Sequence, residues 1–195
     1  MDAQSTRDRI VEAADWLFYR RGFDHTSFAD IADTVGISRG NFYYHFKTKD
    51  AILAAVIDLR MTNTRVMLRR WEGDGQGPKD RITCFIQILI SNQVEIVRYG
   101  CPIGGLVSEL AKLDHTAQDQ ATAIFTLFRH WLRAQFAQMG RAGDADTLAM
   151  HLLARSQGVA TLASAFHDAE FIQAEVGHMC DWVQALEPPT NRNSR

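Results

Sequence analysis

Between residues 26 and 49 the chain sets two short helical patterns in series, separated by one glycine, which makes a helix-turn-helix candidate. The first opens at Thr26 or Ser27, whose hydroxyls suit a helix N-cap, and carries apolar side chains at Phe28, Ile31, Ala32 and Val35. Gly36 stops it, because glycine reaches the positive φ that a sharp turn needs. Ile37 can plug the space between the two helices, and Ser38 caps the second, which runs through Phe46. Phe42 and Phe46, four residues apart, form one apolar edge of that helix. At about 100° per residue, Gly40, Asn41 and Tyr44 point away from the edge. Tyr43 and His45 lie on its shoulders, and Arg39 sits at the N-terminal tip. Spacing alone leaves two readings: a helix-turn-helix, or a helical hairpin with a few solvated basic residues.

The nucleic-acid reading has definite chemistry behind it. A recognition helix offers its N-terminal residues to base edges in the major groove. Gly40 lets the backbone come close, Arg39 can reach guanine acceptors, and Asn41 can reach bases or backbone. Tyr43, Tyr44 and His45 can bond phosphate or stack on thymine methyls, and Lys47 and Lys49 can bind phosphate. Thr26 and Ser27 stand at a helix N-terminus, where free N–H groups suit a phosphate. The net charge of −2 gives no global attraction to DNA, so placement must supply it. From Gly36 to Lys49 there is no acidic residue, while Arg39, Lys47 and Lys49 are all present.

The run from Thr26 to Lys49 resembles the DNA-binding head of the tetracycline-repressor (TetR) family. The stretch before it is similar to that family's first helix, in the pattern made by Ala14, Leu17, Phe18, Gly22 and Thr26. The resemblance covers about the first quarter of the chain. It implies a helix-turn-helix head on a divergent helical body that dimerises and holds an inducer pocket. It further implies that Arg39, Gly40 and Tyr43 contact the base region, and that Thr26, Ser38, Tyr44, His45 and Lys49 contact phosphate. Phe42 stands where family members often carry Leu, a change the core should absorb.

The rest of the chain is also helical in pattern, with no sustained period-two stretch. Ile10, Ala14, Leu17 and Phe18 make one stripe closed by Gly22. Thr48 caps a helix to about Glu72, Gly73–Pro78 is a loop, and Pro78 opens a helix to about Tyr99. Gly100-Cys101-Pro102 breaks the chain. A short helix follows to about Leu113 and a long one from Ala117 to Met139. After a loop at Gly140–Gly143, Asp144 caps a helix to Phe166, and Asp168 caps the last, ending near Leu186. The expectation is an all-α fold of about nine helices. Residues 1–48 form the helix-turn-helix domain, residues 49–187 a helical ligand-sensing and dimerisation domain, and residues 188–195 a disordered tail.

One head covers too little DNA for tight specific binding, so a homodimer reading a palindromic operator is expected. The last two helices should supply its interface. Leu148, Leu152, Val159, Leu162 and Phe166 form one stripe, and Ile172, Val176, Met179, Val183 and Leu186 another. Phe171, His178 and Trp182 beside the second make the last helix apolar on more than one face.

The sensor can be read in two ways. Cys101 falls at the expected start of a helix with Pro102 at its first position, where the dipole and free N–H groups favour a thiolate. This stretch also resembles the body of family members that respond to electrophiles or oxidants through a cysteine at this place. The other reading makes Cys101 a packed residue, with a small-molecule pocket lined by Phe85, Leu89, Phe125, Phe128 and Trp131 and polar contacts from Ser108, Glu109 or Gln157. Cys84 and Cys180 read as core.

Catalytic residues, cofactor and metal ligands are all expected to be absent: the seven histidines are scattered, and no HExxH, CxxC, P-loop, GxGxxG or GxSxG occurs. Polar opening residues, reduced widely spaced cysteines and the lack of a long apolar run suggest a cytoplasmic, non-membrane protein. The function expected is a ligand- or stress-responsive transcriptional repressor. Its rivals are a helical small-molecule-binding protein without DNA binding, and a transcriptional activator.

Overall fold

The structure is a computed structural model and describes residues 5–187. Its regular elements are α1 Thr6–Arg21, α2 Phe28–Val35, α3 Arg39–His45, α4 Lys49–Asp74, α5 Pro78–Ser91, α6 Gln93–Tyr99, α7 Pro102–Lys112, α8 Gln118–Phe136, a π-type turn Ala137–Arg141, α9 Ala145–Phe166 and α10 Ala169–Ala185. No strand occurs among the described residues. The expected tail, 188–195, lies outside them.

The helix expected from Pro78 to Tyr99 is divided at Asn92. Its side-chain amide donates to the Ile88 carbonyl at 2.9 Å, beside its own backbone N–H on the same oxygen at 3.1 Å. A side chain that competes for a helix carbonyl in this way loosens the regular ladder. The Asn92 carbonyl then accepts from Ile96 N–H at 2.9 Å, starting α6. A second difference lies at Asp144. It does not cap α9 through its side chain; the carboxylate pairs with Arg141 instead. The loop expected at Gly140–Gly143 begins inside a π-type turn, Ala137–Arg141, with Gly140 at φ 81°, and continues as an ordinary turn to α9.

Two compact units emerge. The first contains the chain through Arg65 together with Pro102–Ile124, so the unit holding the head extends beyond residue 48. Its core runs through Ile10, Leu17, Phe18, Ile31, Phe42, Ile52 and Leu53, with Leu106 and Leu110 from α7. Arg60, almost fully buried, ties it together. Its Nε donates to Asp15 Oδ1 in α1 at 2.6 Å, and a terminal nitrogen donates to the Pro102 carbonyl at the start of α7 at 2.6 Å.

The second unit contains Val66–Cys101 and the chain from Phe125 onward. α10 packs on α5 and α9, and α6 packs on α9. Ile172, Val176, Met179 and Val183, the stripe read from the sequence on α10, are buried within this unit. Arg155 on α9 holds Glu175 on α10 at 2.8 Å, and Glu175 also takes His178 at 3.1 Å.

Candidate nucleic-acid interface

α2 and α3 owe their sharp ends to local chemistry. Ser27 and Asp30 form a capping box at the start of α2: the Ser27 hydroxyl accepts from Asp30 N–H, and the Asp30 carboxylate accepts from Ser27 N–H at 2.8 Å. Hydrogen bonds from the Ser27 side chain and backbone, helped by Arg21, hold the Asp30 carboxyl below the usual aspartate value. Gly36, at φ 73°, ψ 40°, ends α2 in the left-handed conformation and donates to the Ala32 and Asp33 carbonyls. Ser38 Oγ accepts from Asn41 N–H at 3.3 Å, which starts α3.

α3 is pinned from behind by Phe42 and Phe46, both buried. Phe28 of α2 lies against Phe42 at 5.1 Å and meets Tyr43 edge-on at 5.5 Å. With this edge fixed, Arg39, Gly40 and Asn41 are all exposed. Tyr43 is 45% exposed and Tyr44 78%, with His45 half-buried against the Tyr44 ring. A cleft of about 250 Å³ between α2 and α3 is lined by Ser27, Phe28, Ala29, Ala32, Arg39, Phe42 and Tyr43. A more open hollow is bordered by Asp24, His25, Thr26, Ser27, Phe28 and Lys49.

Three residues read as phosphate ligands already have internal work. Thr26 is only 1% exposed, and its hydroxyl donates to the Gly22 carbonyl at 2.8 Å. The Ser27 hydroxyl donates to Asp30. Lys49 reaches back to the Asp24 carbonyl at 2.9 Å and lies over the Phe23 ring at 4.5 Å. Ser27 and Lys49 still border the open hollow, where α2 presents its N-terminus.

The residues read as a ligand pocket divide between the two compact units. Ser108 and Glu109 belong to the unit with the head, and the others to the second unit. Glu109 accepts from the backbone N–H groups of Phe23 and Asp24, a role sequence reasoning missed. Phe85, Leu89, Phe128 and Trp131 are buried, and Phe125 and Gln157 are half-buried. Phe85 and Phe128 pack edge-on at 5.5 Å, and Trp131 donates its indole N–H to Glu72 at 2.9 Å. Cys101 is half-buried in the break between α6 and α7. Cys84 and Cys180 are half-buried rather than fully core, and desolvation pushes both thiols up. Among the described residues no cluster of three or more His, Cys, Asp or Glu could hold a metal, and no helix is long and apolar enough to cross a membrane.

Residues 10–56, which span this surface, match the family model described as bacterial regulatory proteins, tetR family. The match covers α1 to α3 and the first turns of α4, about a quarter of the chain. An HTH-type transcriptional regulator, TtgR, of Pseudomonas putida is 35% identical to this chain over 96 residues, 49% of the chain and 45% of TtgR. An uncharacterised HTH-type transcriptional regulator of Lactococcus lactis is 29% identical over 125 residues, 63% of the chain and 64% of that protein. The chain thus spans about half to two thirds of the length of these curated relatives. The crystal structure of a TetR transcriptional regulator from Legionella pneumophila shares the fold at TM-score 0.81 and 24% identity, covering 93% of this chain and 98% of that one.

Proposed function

We propose that this chain is a DNA-binding transcriptional regulator of the TetR family, acting as a homodimeric repressor that an inducer releases from a palindromic operator. One observation carries the reading: α3 is fixed by two buried phenylalanines while Arg39, Gly40, Asn41, Tyr43 and Tyr44 stand in solvent on a stretch without acidic residues. Rigid backing is what lets a helix present the same side chains to a groove each time. The test is a gel shift with duplex DNA flanking the chain's own gene, over a range of salt. Salt-sensitive retardation that Arg39→Ala weakens supports the reading; no retardation at low salt overturns it.

Pairing through α9 and α10 is supported by apolar side chains left in water on α9: Met150, Leu162 and Phe166, the last 74% exposed. Exposed Ala154 and Gly158 on α9 and Ala174 and Gly177 on α10 would let another helix come close.

For release, the reading keeps two inputs. A small molecule could occupy space among the body residues Phe85, Leu89, Phe125, Phe128, Trp131 and Gln157. Alternatively an electrophile or oxidant modifies Cys101. The second is favoured by position. Cys101 immediately precedes Pro102, whose carbonyl is held by Arg60 and so linked to Asp15 in α1. Burial shifts Cys84 and Cys180 away from thiolate, which makes them poor reactive thiols. Either input must favour a state that binds the operator less well by a few kcal/mol. A Cys101→Ser protein that a quinone or hypochlorite still releases from the duplex removes Cys101 from this scheme.

A further inference from the structure

The turn between α1 and α2 decides where the reading pair α2–α3 begins, and it is held by a residue far away in sequence. Glu109, on α7, accepts from Phe23 N–H at 2.9 Å and from Asp24 N–H at 2.8 Å, one carboxylate oxygen on each. Gly22 makes room for it. A Cβ at that position would sit 2.9 Å from a Glu109 oxygen, and Gly22 already has φ +90°. The Phe23 ring is packed edge-on by Phe18 at 5.2 Å and by His115 at 5.3 Å. Lys49 caps the Asp24 carbonyl, and Thr26 closes the turn with its backbone N–H on the Phe23 carbonyl at 3.2 Å. Ser27, the next residue, is the N-cap of α2. Through Arg60, the first turn of α7 is linked to Asp15 in the middle of α1. α7 is therefore tied to the middle of α1 through Arg60, and to the turn that follows α1 through the Glu109 carboxylate.

We infer that Glu109 is a positioning residue for DNA binding: its carboxylate sets the start of α2, and hence the pose of α3, by the position of α7. The inference rests on the DNA-binding reading above and names how that surface is held.

The sign of its effect separates it from ordinary electrostatics. Deleting a negative charge from a DNA-binding unit should strengthen attraction to a polyanion. Deleting a positioning carboxylate should weaken binding instead. It should leave the slope of log Kd against log salt unchanged, because no phosphate contact is removed.

The experiment uses the full chain, its Glu109→Ala and Glu109→Gln variants, and the duplex flanking its own gene. Expected is a loss of about tenfold in affinity for Glu109→Ala, the scale of one charge-assisted hydrogen bond, with the salt slope of the parent. Glu109→Gln, which keeps one carbonyl acceptor, should lie between. Amide hydrogen exchange supplies the readout without DNA: Phe23 and Asp24 should lose protection while Leu17, inside α1, keeps it. Should Glu109→Ala fail to fold, the same criteria apply to Glu109→Gln. Unchanged or tighter DNA binding, or amides at Phe23 and Asp24 that stay protected, overturns the inference. A parent chain that binds no duplex overturns the regulator reading instead, and the exchange measurement still decides whether Glu109 holds the turn.

Discussion

Arg39 and Tyr43 are one turn apart on α3 and line the same cleft against Phe28. Arginine can make a bidentate contact to the guanine edge in the major groove. Arg39→Ala should cost about 1–3 kcal/mol of operator binding and relax the preference at one base position, read by titrating duplexes altered one pair at a time. Gly22 belongs to a different argument. Gly22→Ala places a methyl against Glu109 in a backbone conformation L residues avoid, and should destabilise the fold by about 1–3 kcal/mol, measured as a shift in the denaturant midpoint. At this scale the sequence was legible where a residue's neighbours in the chain decide its role. Phe42 and Phe46 are buried as their spacing implied, and Arg39, Asn41 and Tyr44 are exposed. Thr26 was less legible, because its hydroxyl is used by a carbonyl four residues back and burial removes it from solvent. For Ser27 a signal existed: Ser and Asp three apart is a capping-box spacing.

Helix ends and helix pairs carry a pH dependence with a definite sign. Asp144, Asp146 and Glu175 are held below their ordinary values chiefly by hydrogen bonds from Arg141, Arg129 and Arg155 respectively, as Asp30 is by Ser27. A carboxyl whose value is lower in the folded chain favours folding above its unfolded value, and that contribution fades as pH falls through the folded one. The unperturbed values are 3.8 for aspartate and 4.5 for glutamate. The contribution of these groups should therefore be flat above about pH 5.5 and decline below it. Thermal unfolding midpoints across pH would show this, and Arg155→Met should shrink the acid-side decline by removing the α9–α10 pair. Most helix ends were readable because they depend on caps and glycines nearby. The break at Asn92 was not, since apolar periodicity continues through Ile88, Leu89 and Ile96 and asparagine in mid-helix is often tolerated.

At the scale of the whole molecule, local pattern could not show which distant segments share a unit with the head. The bonds that include α7 with it span 42 residues from Arg60 to Pro102 and 86 from Phe23 to Glu109. No periodicity reaches across such separations. Helical content and the kind of head, by contrast, were legible throughout. Replacing Leu162 and Phe166 together by glutamate should leave the fold intact and produce a monomer in sedimentation. It should also weaken operator binding sharply, because two heads no longer act as one ligand. A double variant that still sediments as a dimer would move the interface elsewhere. The Phe166 ring also bears on the newly made chain. Most of it faces water in a single copy, so each polypeptide leaves synthesis with a greasy flank and no cover for it. If the proposed pairing covers that flank, scarcity becomes a hazard as well as a loss of dose: a solitary chain can stick to whatever apolar surface it meets first, and only abundance favours a proper mate.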